Sequence, residues 1–237
     1  MPSLPTPEAL ERHPHLAEPC PEGWVRVDFH SHTMWSGDST TTPEELHECV
    51  VASGIDVLCI TDHNAIKGAI ELADELPCRV VVGEELKTHA GEIIGLFLGE
   101  RIPQGIPPAE AARDIRDQGG IVYVPHPFDP MRNNLRLDVL DELVASDLVD
   151  GIEVLNGKTS LKSLNQQAVT YASKHDLAIG AGSDAHVAEA IGAVYLEMPD
   201  FNGPEEFLNS MRQGRPIGHY YDPPRRWRPR IVPSTAD

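Results

Sequence analysis

Basic residues are scarce: 19 lysines and arginines stand against 37 aspartates and glutamates, for a formal charge of −18. That balance argues against a nucleic-acid groove or an anionic membrane surface, because both need clustered positive charge. Cysteine is sparse as well. Cys20, Cys49, Cys59 and Cys78 show no C-x-x-C pairing and read as reduced, mostly packed thiols of a cytosolic enzyme. No run of about 18 apolar residues occurs, which leaves no candidate membrane helix. The first residues, MPSLPTPEALERHPHLAEPCPEG, lack the basic segment followed by an apolar stretch that marks a secretory leader. A cytoplasmic location is expected.

What remains is a chain of 237 residues, 41% hydrophobic, long enough for one sizeable core. Residues 1–23 are rich in Pro and Glu without apolar periodicity and read as a weakly ordered arm. Residues 221–237 are rich in Pro and Arg and read as a wrapping tail, with Trp227 packing on the body. Residues 24–220 alternate apolar, β-rich runs with helical patterns. VRVDFHSH, IDVLCITDH, RVVVGEELKT, EIIGLFL, IVYVPHP, DGIEVLN, LAIGAGSDAH and AVYLEM read as strands, several of them continuously buried as in parallel sheets. Four stretches read as helices: 41–54, 107–120, 160–176 and 203–214. The first carries a capping box, with Thr42 as N-cap, Pro43 at the first helical position, Glu45 three residues after the cap and Gly54 as the stop. Such alternation indicates a parallel α/β fold, an open sheet or a barrel.

The chemistry gathers at the ends of the strands. Alternation puts Asp28, His30 and His32 on one face of the first strand and Val25, Val27 and Phe29 on the other. Thr61-Asp62-His63, Glu84-Glu85, His126, Glu153, Asp184 and His186 then fall on or just past later strands. In a (β/α) barrel those ends form the active-site face. An isolated histidine is ordinarily a packed or surface residue, but so many strand ends meeting in imidazoles and carboxylates point to metal. Without cysteine, the donors suit Zn, Mn or Fe. They outnumber what one ion can use, so two or three divalent ions are expected.

In this order the motifs resemble the polymerase and histidinol phosphatase (PHP) family of metal-dependent phosphoesterases. They are H-x-H at His30 and His32 followed by T-x-x-S and an acidic residue, T-D-H ending at His63, G-x-E at Glu85, P-H-P at His126, and D-x-H at Asp184 and His186. The resemblance spans about residues 25–200. It implies a distorted seven-stranded (β/α) barrel holding up to three ions. The implied ligands are His30, His32, Asp38, His63, Glu85, Glu92, His126, Asp184 and His186, with Glu85 as a bridge. Two positions depart from the family pattern. Ser36-Gly37-Asp38 stands where members often show Ser-Asp-Gly, so Asp38 is placed by a one-residue shift. Glu92 replaces a histidine found in several members, and His89 is the competing candidate. Arg132, Lys87 and Lys158 are candidates for holding a substrate phosphate. His47 and His175 read as structural helix residues, and His13, His15 and His219 receive no role.

The expected activity is hydrolysis of a small phosphomonoester by attack of a metal-activated hydroxide, with His63, His126 and His186 as catalytic groups. Little chain separates His126 from Glu153, so no inserted domain is expected and a compact phosphorylated substrate follows. The competing readings are a phosphodiesterase or oligonucleotide nuclease, an amidohydrolase, and a metal-binding sensor without turnover. Long nucleic acid is the weakest partner on charge grounds.

Overall fold

The computed structural model describes residues 4–159 and 161–225. In chain order the elements are α1 (Pro7–Arg12), β1 (Trp24–Ser31), α2 (Pro43–Ser53), β2 (Val57–Ile60), α3 (Lys67–Leu72), β3 (Arg79–Thr88), β4 (Gly91–Leu96), α4 (Pro108–Asp117), β5 (Ile121–Val124), α5 (Leu137–Ala145), β6 (Gly151–Asn156), α6 (Lys162–His175), β7 (Ala178–Gly182), β8 (Val194–Pro199), α7 (Gly203–Met211) and β9 (Arg215–Gly218). The strands join in the order β7-β6-β5-β4-β3-β2-β1-β8-β9. Strands β1 to β7 curl into a barrel whose seam closes where Asp184 N donates to His30 O at 2.7 Å and Ser31 bridges Ala185. The expected distorted seven-stranded barrel is therefore present, with β8 and β9 added antiparallel on the outside of β1.

One strand runs against the expectation of parallel pairing. β4 is antiparallel to both β3 and β5. Only His89 and Ala90 lie between β3 and β4, and a parallel return needs a crossover of a dozen or more residues. The chain must fold straight back as a hairpin. This reversal brings Glu92, at the start of β4, to the same end of the barrel as Glu85 near the end of β3.

The barrel interior is apolar at its lower end, where Val27, Phe29, Val57, Cys59 and Tyr123 pack together and Phe207 and Met211 of α7 close the floor. Helices α4, α5 and α6 cover one flank through Ile115, Leu140 and Ala168. Helix α2 covers another through Leu46 and Val50. Its capping box forms as expected: Thr42 Oγ1 accepts from Glu45 N at 3.3 Å and Glu45 accepts from Thr42 N at 3.2 Å, while Gly54 ends the helix at φ 67°.

The N-terminal arm is better ordered than its composition suggests. Thr6 caps α1, a 3-10 turn follows over Pro14–Ala17, and Ala9, His13 and Leu16 are buried. Thr6 N also donates to Ala52 O at 2.9 Å, tying the arm to α2. The six-residue α1 buries a single apolar side chain, Ala9, too little to give a readable period. Among the described residues no helix is long and apolar enough to cross a membrane. All four cysteines are unpaired, as expected. The packing expected of Trp227 lies outside the described residues.

Candidate metal centre

Polar side chains converge at the mouth of the barrel around Glu85, which is buried. Its Oε2 stands 3.3 Å from His30 Nε2, 3.2 Å from His32 Nε2 and 3.1 Å from His63 Nδ1, and its Oε1 stands 3.0 Å from His126 Nε2. Asp184 approaches from β7's end, with Oδ1 3.7 Å from His30 Nε2, 3.5 Å from His32 Nε2 and 3.4 Å from His186 Nδ1. Asp38 stands 3.0 Å from His186 Nε2 and 3.5 Å from His63 Nε2, so the one-residue shift does not remove it from the cluster. Glu92 Oε2 lies 3.9 Å from His126 Nε2, whereas His89 is exposed in the hairpin turn.

Four overlapping triads bring donor atoms close enough to hold an ion: His32 with His63 and His186, His30 with His32 and Glu85, His30 with His126 and Asp184, and His63 with Glu85 and Glu92. Apart from Asp38, every residue expected to bind metal appears in at least one. The donor chemistry fits divalent ions. Imidazole and carboxylate donors are interleaved without a thiolate, and buried atoms such as His126 Nδ1 and Asp38 Oδ1 have no hydrogen-bond partner.

Charge in the cluster is strongly perturbed. Burial opposes the His30 imidazolium, yet Asp184, Glu85 and Glu153 together hold its pKa well above the ordinary value. His63 is likewise raised, to about 9, because Glu85 and Asp38 outweigh its burial. His32 goes the other way, to about 4, through burial and the neighbouring His186 and His63. Glu85 and Asp184 are held well below the carboxylate range, against the burial penalty, by the surrounding cations and imidazoles. Many acids and bases packed this tightly are what bound divalent ions reorganise.

The residues around the cluster fix its rings. Ser36 Oγ lies 2.9 Å from His32 Nδ1 and accepts from His63 N at 3.1 Å. Thr33 N and Oγ1 both donate to Asp62 at 2.6 Å, so the aspartate of T-D-H anchors the T-x-x-S loop. Asp28 does not join the donors. The register of β1 shifts between Asp28 and Ser31, and Asp28 Oδ1 instead accepts from His30 N at 3.2 Å and Ser183 N at 2.9 Å. A bulge breaks the strict alternation. His126 at φ 30° and Asp184 at φ 52° hold the left-handed conformation that side chains other than glycine rarely adopt, a strain typical of functional sites.

Cations reach the rim unevenly. Arg132 Nη2 donates to Asp184 Oδ2 at 2.5 Å. Lys158 is buried, with Nζ 3.0 Å from His186 Nδ1 and 3.6 Å from Asp184 Oδ1. Lys87 shares Glu85's side of β3 two residues farther on and is exposed, with no ion pair to the cluster. His47 and His175 lie in α2 and α6, away from it.

The PHP domain model matches residues 28–101, and the PHP-associated model matches residues 162–216. An uncharacterised protein of Methanocaldococcus jannaschii is 36% identical over 199 residues, covering 79% of each chain. A two-domain protein from Bacteroides vulgatus, described as containing a predicted PHP-like metal-dependent phosphoesterase, superposes with a TM-score of 0.68 at 20% identity, over 85% of this chain and 67% of that one. A lesion-specific endonuclease from Pyrococcus furiosus superposes with a TM-score of 0.60 at 13% identity, over 80% of this chain and 56% of that one. With the ordered motifs assembled around Glu85, the two family-model matches and the Methanocaldococcus relative establish that the chain belongs to the PHP family.

Proposed function

We propose that the chain hydrolyses small phosphomonoesters. The observation behind this reading is that Arg132 and Lys158 approach Asp184, an implied metal ligand, from the rim, so that fixed positive charge borders the donor cluster where an anionic group would enter. His30, His32, Asp38, His63, Glu85, Glu92, His126, Asp184 and His186 would hold two or three divalent ions of Mn, Fe or Zn. Such ions supply positive charge to phosphoryl oxygens and acidify water into a nucleophile near neutral pH. Arg132 presents a planar donor suited to two phosphoryl oxygens, and Lys158 and Lys87 provide point charges. His63 is the most exposed of the cluster histidines and can pass a proton from Nε2 to the leaving oxygen. His126 and His186 border the same space.

A compact substrate is favoured by the short path from His126 to Glu153, which holds only one nine-residue helix, α5. Endonuclease Q has been solved on a 27-mer duplex with an abasic lesion at its active site, but this chain spans 57% of that protein. A charge of −18 further disfavours long nucleic acid here.

The test is phosphate release from a panel of phosphomonoesters beside a chromogenic phosphodiester, with Mn²⁺ or with chelator. Monoester turnover that chelator abolishes and His63→Ala removes is the expected result. Unchanged turnover in His63→Ala, or turnover of the diester alone, would overturn the reading.

A further inference from the structure

Away from the catalytic cluster, three histidines from the two ends of the described chain meet on the flank of the barrel. His13 immediately precedes the 3-10 turn of the arm, His15 lies within it, and His219 follows β9. His13 Nε2 lies 3.0 Å from Glu189 O, and His15 Nε2 lies 2.9 Å from Gly192 O. A carbonyl only accepts, so both rings carry their proton on Nε2 and leave Nδ1 as a lone pair. Metal-binding histidines are oriented in this way, with the ring N–H given to a backbone carbonyl.

His15 Nδ1 stands 3.3 Å from His219 Nδ1. A tetrahedral ion with metal–nitrogen bonds of about 2.0–2.1 Å separates its ligand nitrogens by ~3.4 Å. The same signature marks the catalytic cluster, where His30 Nε2 and His32 Nε2 are 3.0 Å apart. His13 Nδ1 is buried with no hydrogen-bond partner, and its ring centroid lies 5.4 Å from that of His219. Burial lowers the pKa of all three rings, which keeps them in the neutral form that binds metal. His15 and His219 are only half-buried, so one side remains open to ions and water.

We propose that His15 and His219 supply the two protein donors of a second metal site, against which the His13 ring packs without ligating, and that this site takes a borderline divalent ion such as zinc, nickel or copper and clips the N-terminal arm to the last strand. Imidazole donors without carboxylate suit those ions and not magnesium or calcium. The ion would join segments some 200 residues apart, so its loss loosens the arm.

The test uses the full chain, stripped with chelator and equilibrated with Zn²⁺ or Ni²⁺. Metal per chain and melting temperature are measured for wild type, His15→Phe, His219→Gln and Glu85→Gln, and for His219→Gln combined with Glu85→Gln. His219 is half-buried at a strand end, so His219→Gln should fold even if His15→Phe does not. The expected result is one ion fewer in each histidine variant, loss of part of the metal-induced rise in melting temperature, and the same decrement in the Glu85→Gln background. An unchanged metal count in His219→Gln, or a decrement that vanishes once Glu85→Gln has emptied the catalytic cluster, overturns the proposal. Either result would reduce the His15–His219 contact to a hydrogen bond between rings.

Discussion

Glu153 Oε1 stands 3.3 Å from His30 Nδ1, on the side of the ring opposite the nitrogen that faces Glu85 and His32. Its other oxygen accepts from His126 N at 2.7 Å and from Asn156 Nδ2 at 2.9 Å. A carboxylate held this way sets the tautomer and orientation of a metal-binding imidazole. Replacing Glu153 by Gln should therefore weaken metal binding about 10–100-fold. Titration of the stripped variant with Mn²⁺ or Zn²⁺ checks this, and wild-type affinity would show that Glu153 acts only in packing.

The barrel seam depends on a missing side chain. At Gly182 an added Cβ would come within 2.7 Å of His30 N and 3.0 Å of a Glu153 carboxylate oxygen. Gly182→Ala should destabilise the fold by about 3 kcal/mol or more and displace His30. Gly99→Ala, where a Cβ meets nothing within 4 Å, should stay within about 0.5 kcal/mol of wild type. Urea denaturation of both variants provides the comparison.

Arg132 is half-buried and bonded to Asp184 rather than solvated. If it orients substrate, Arg132→Ala should lower kcat/KM about 10–100-fold, and Arg132→Lys should recover only part of the loss because an ammonium lacks the fork. Steady-state kinetics on the best monoester of the panel decide it. Equal activity in all three proteins would return Arg132 to a structural role.

Acid stability follows from the buried arm. Burial is the largest influence on His13 and lowers its pKa to about 4. Below about pH 6.5 the unfolded chain takes up a proton that the folded chain refuses. Stability is therefore full above that pH and falls as the pH drops toward 4. With partial screening by water, the loss is on the order of 2 kcal/mol. Melting temperatures in chelator between pH 7.5 and 4.5 should fall less steeply for His13→Gln than for wild type.

Sequence legibility follows the physics of each element. The eight strand-like runs are all present because each is a dense apolar block bounded by turn residues. α2 was readable from its capping box. α3 was hidden because it is six residues long and is preceded by Ile66, which offers no capping side chain. β9, Arg-Pro-Ile-Gly, carries a single apolar side chain and a proline. In the site, His30, His63, Glu85, His126 and Asp184 stood out because imidazoles and carboxylates at strand ends are costly unless used. Glu153 stood out in the same way, but its role as a support for His30 depends on which ring nitrogen it meets. Asp28 was misleading: period-two alternation cannot anticipate the register shift that follows it before Ser31, nor that its carboxylate accepts from the His30 and Ser183 amides. The meeting of His13 and His15 with His219 is a tertiary event across most of the chain, and no local pattern announces it.

The reversal of β4 also limits how the protein can diversify. Glu85 and Glu92 are joined through a two-residue turn, and every pairing from Gly83–Leu96 to Thr88–Gly91 is in register. An insertion in that turn would move both carboxylates at once, so this quarter of the rim is effectively locked. Variation in what the mouth admits must come from segments that return to the barrel by a helix, such as the turn around the exposed Met131 after β5, which lies between His126 and Arg132 and carries no donor atom itself.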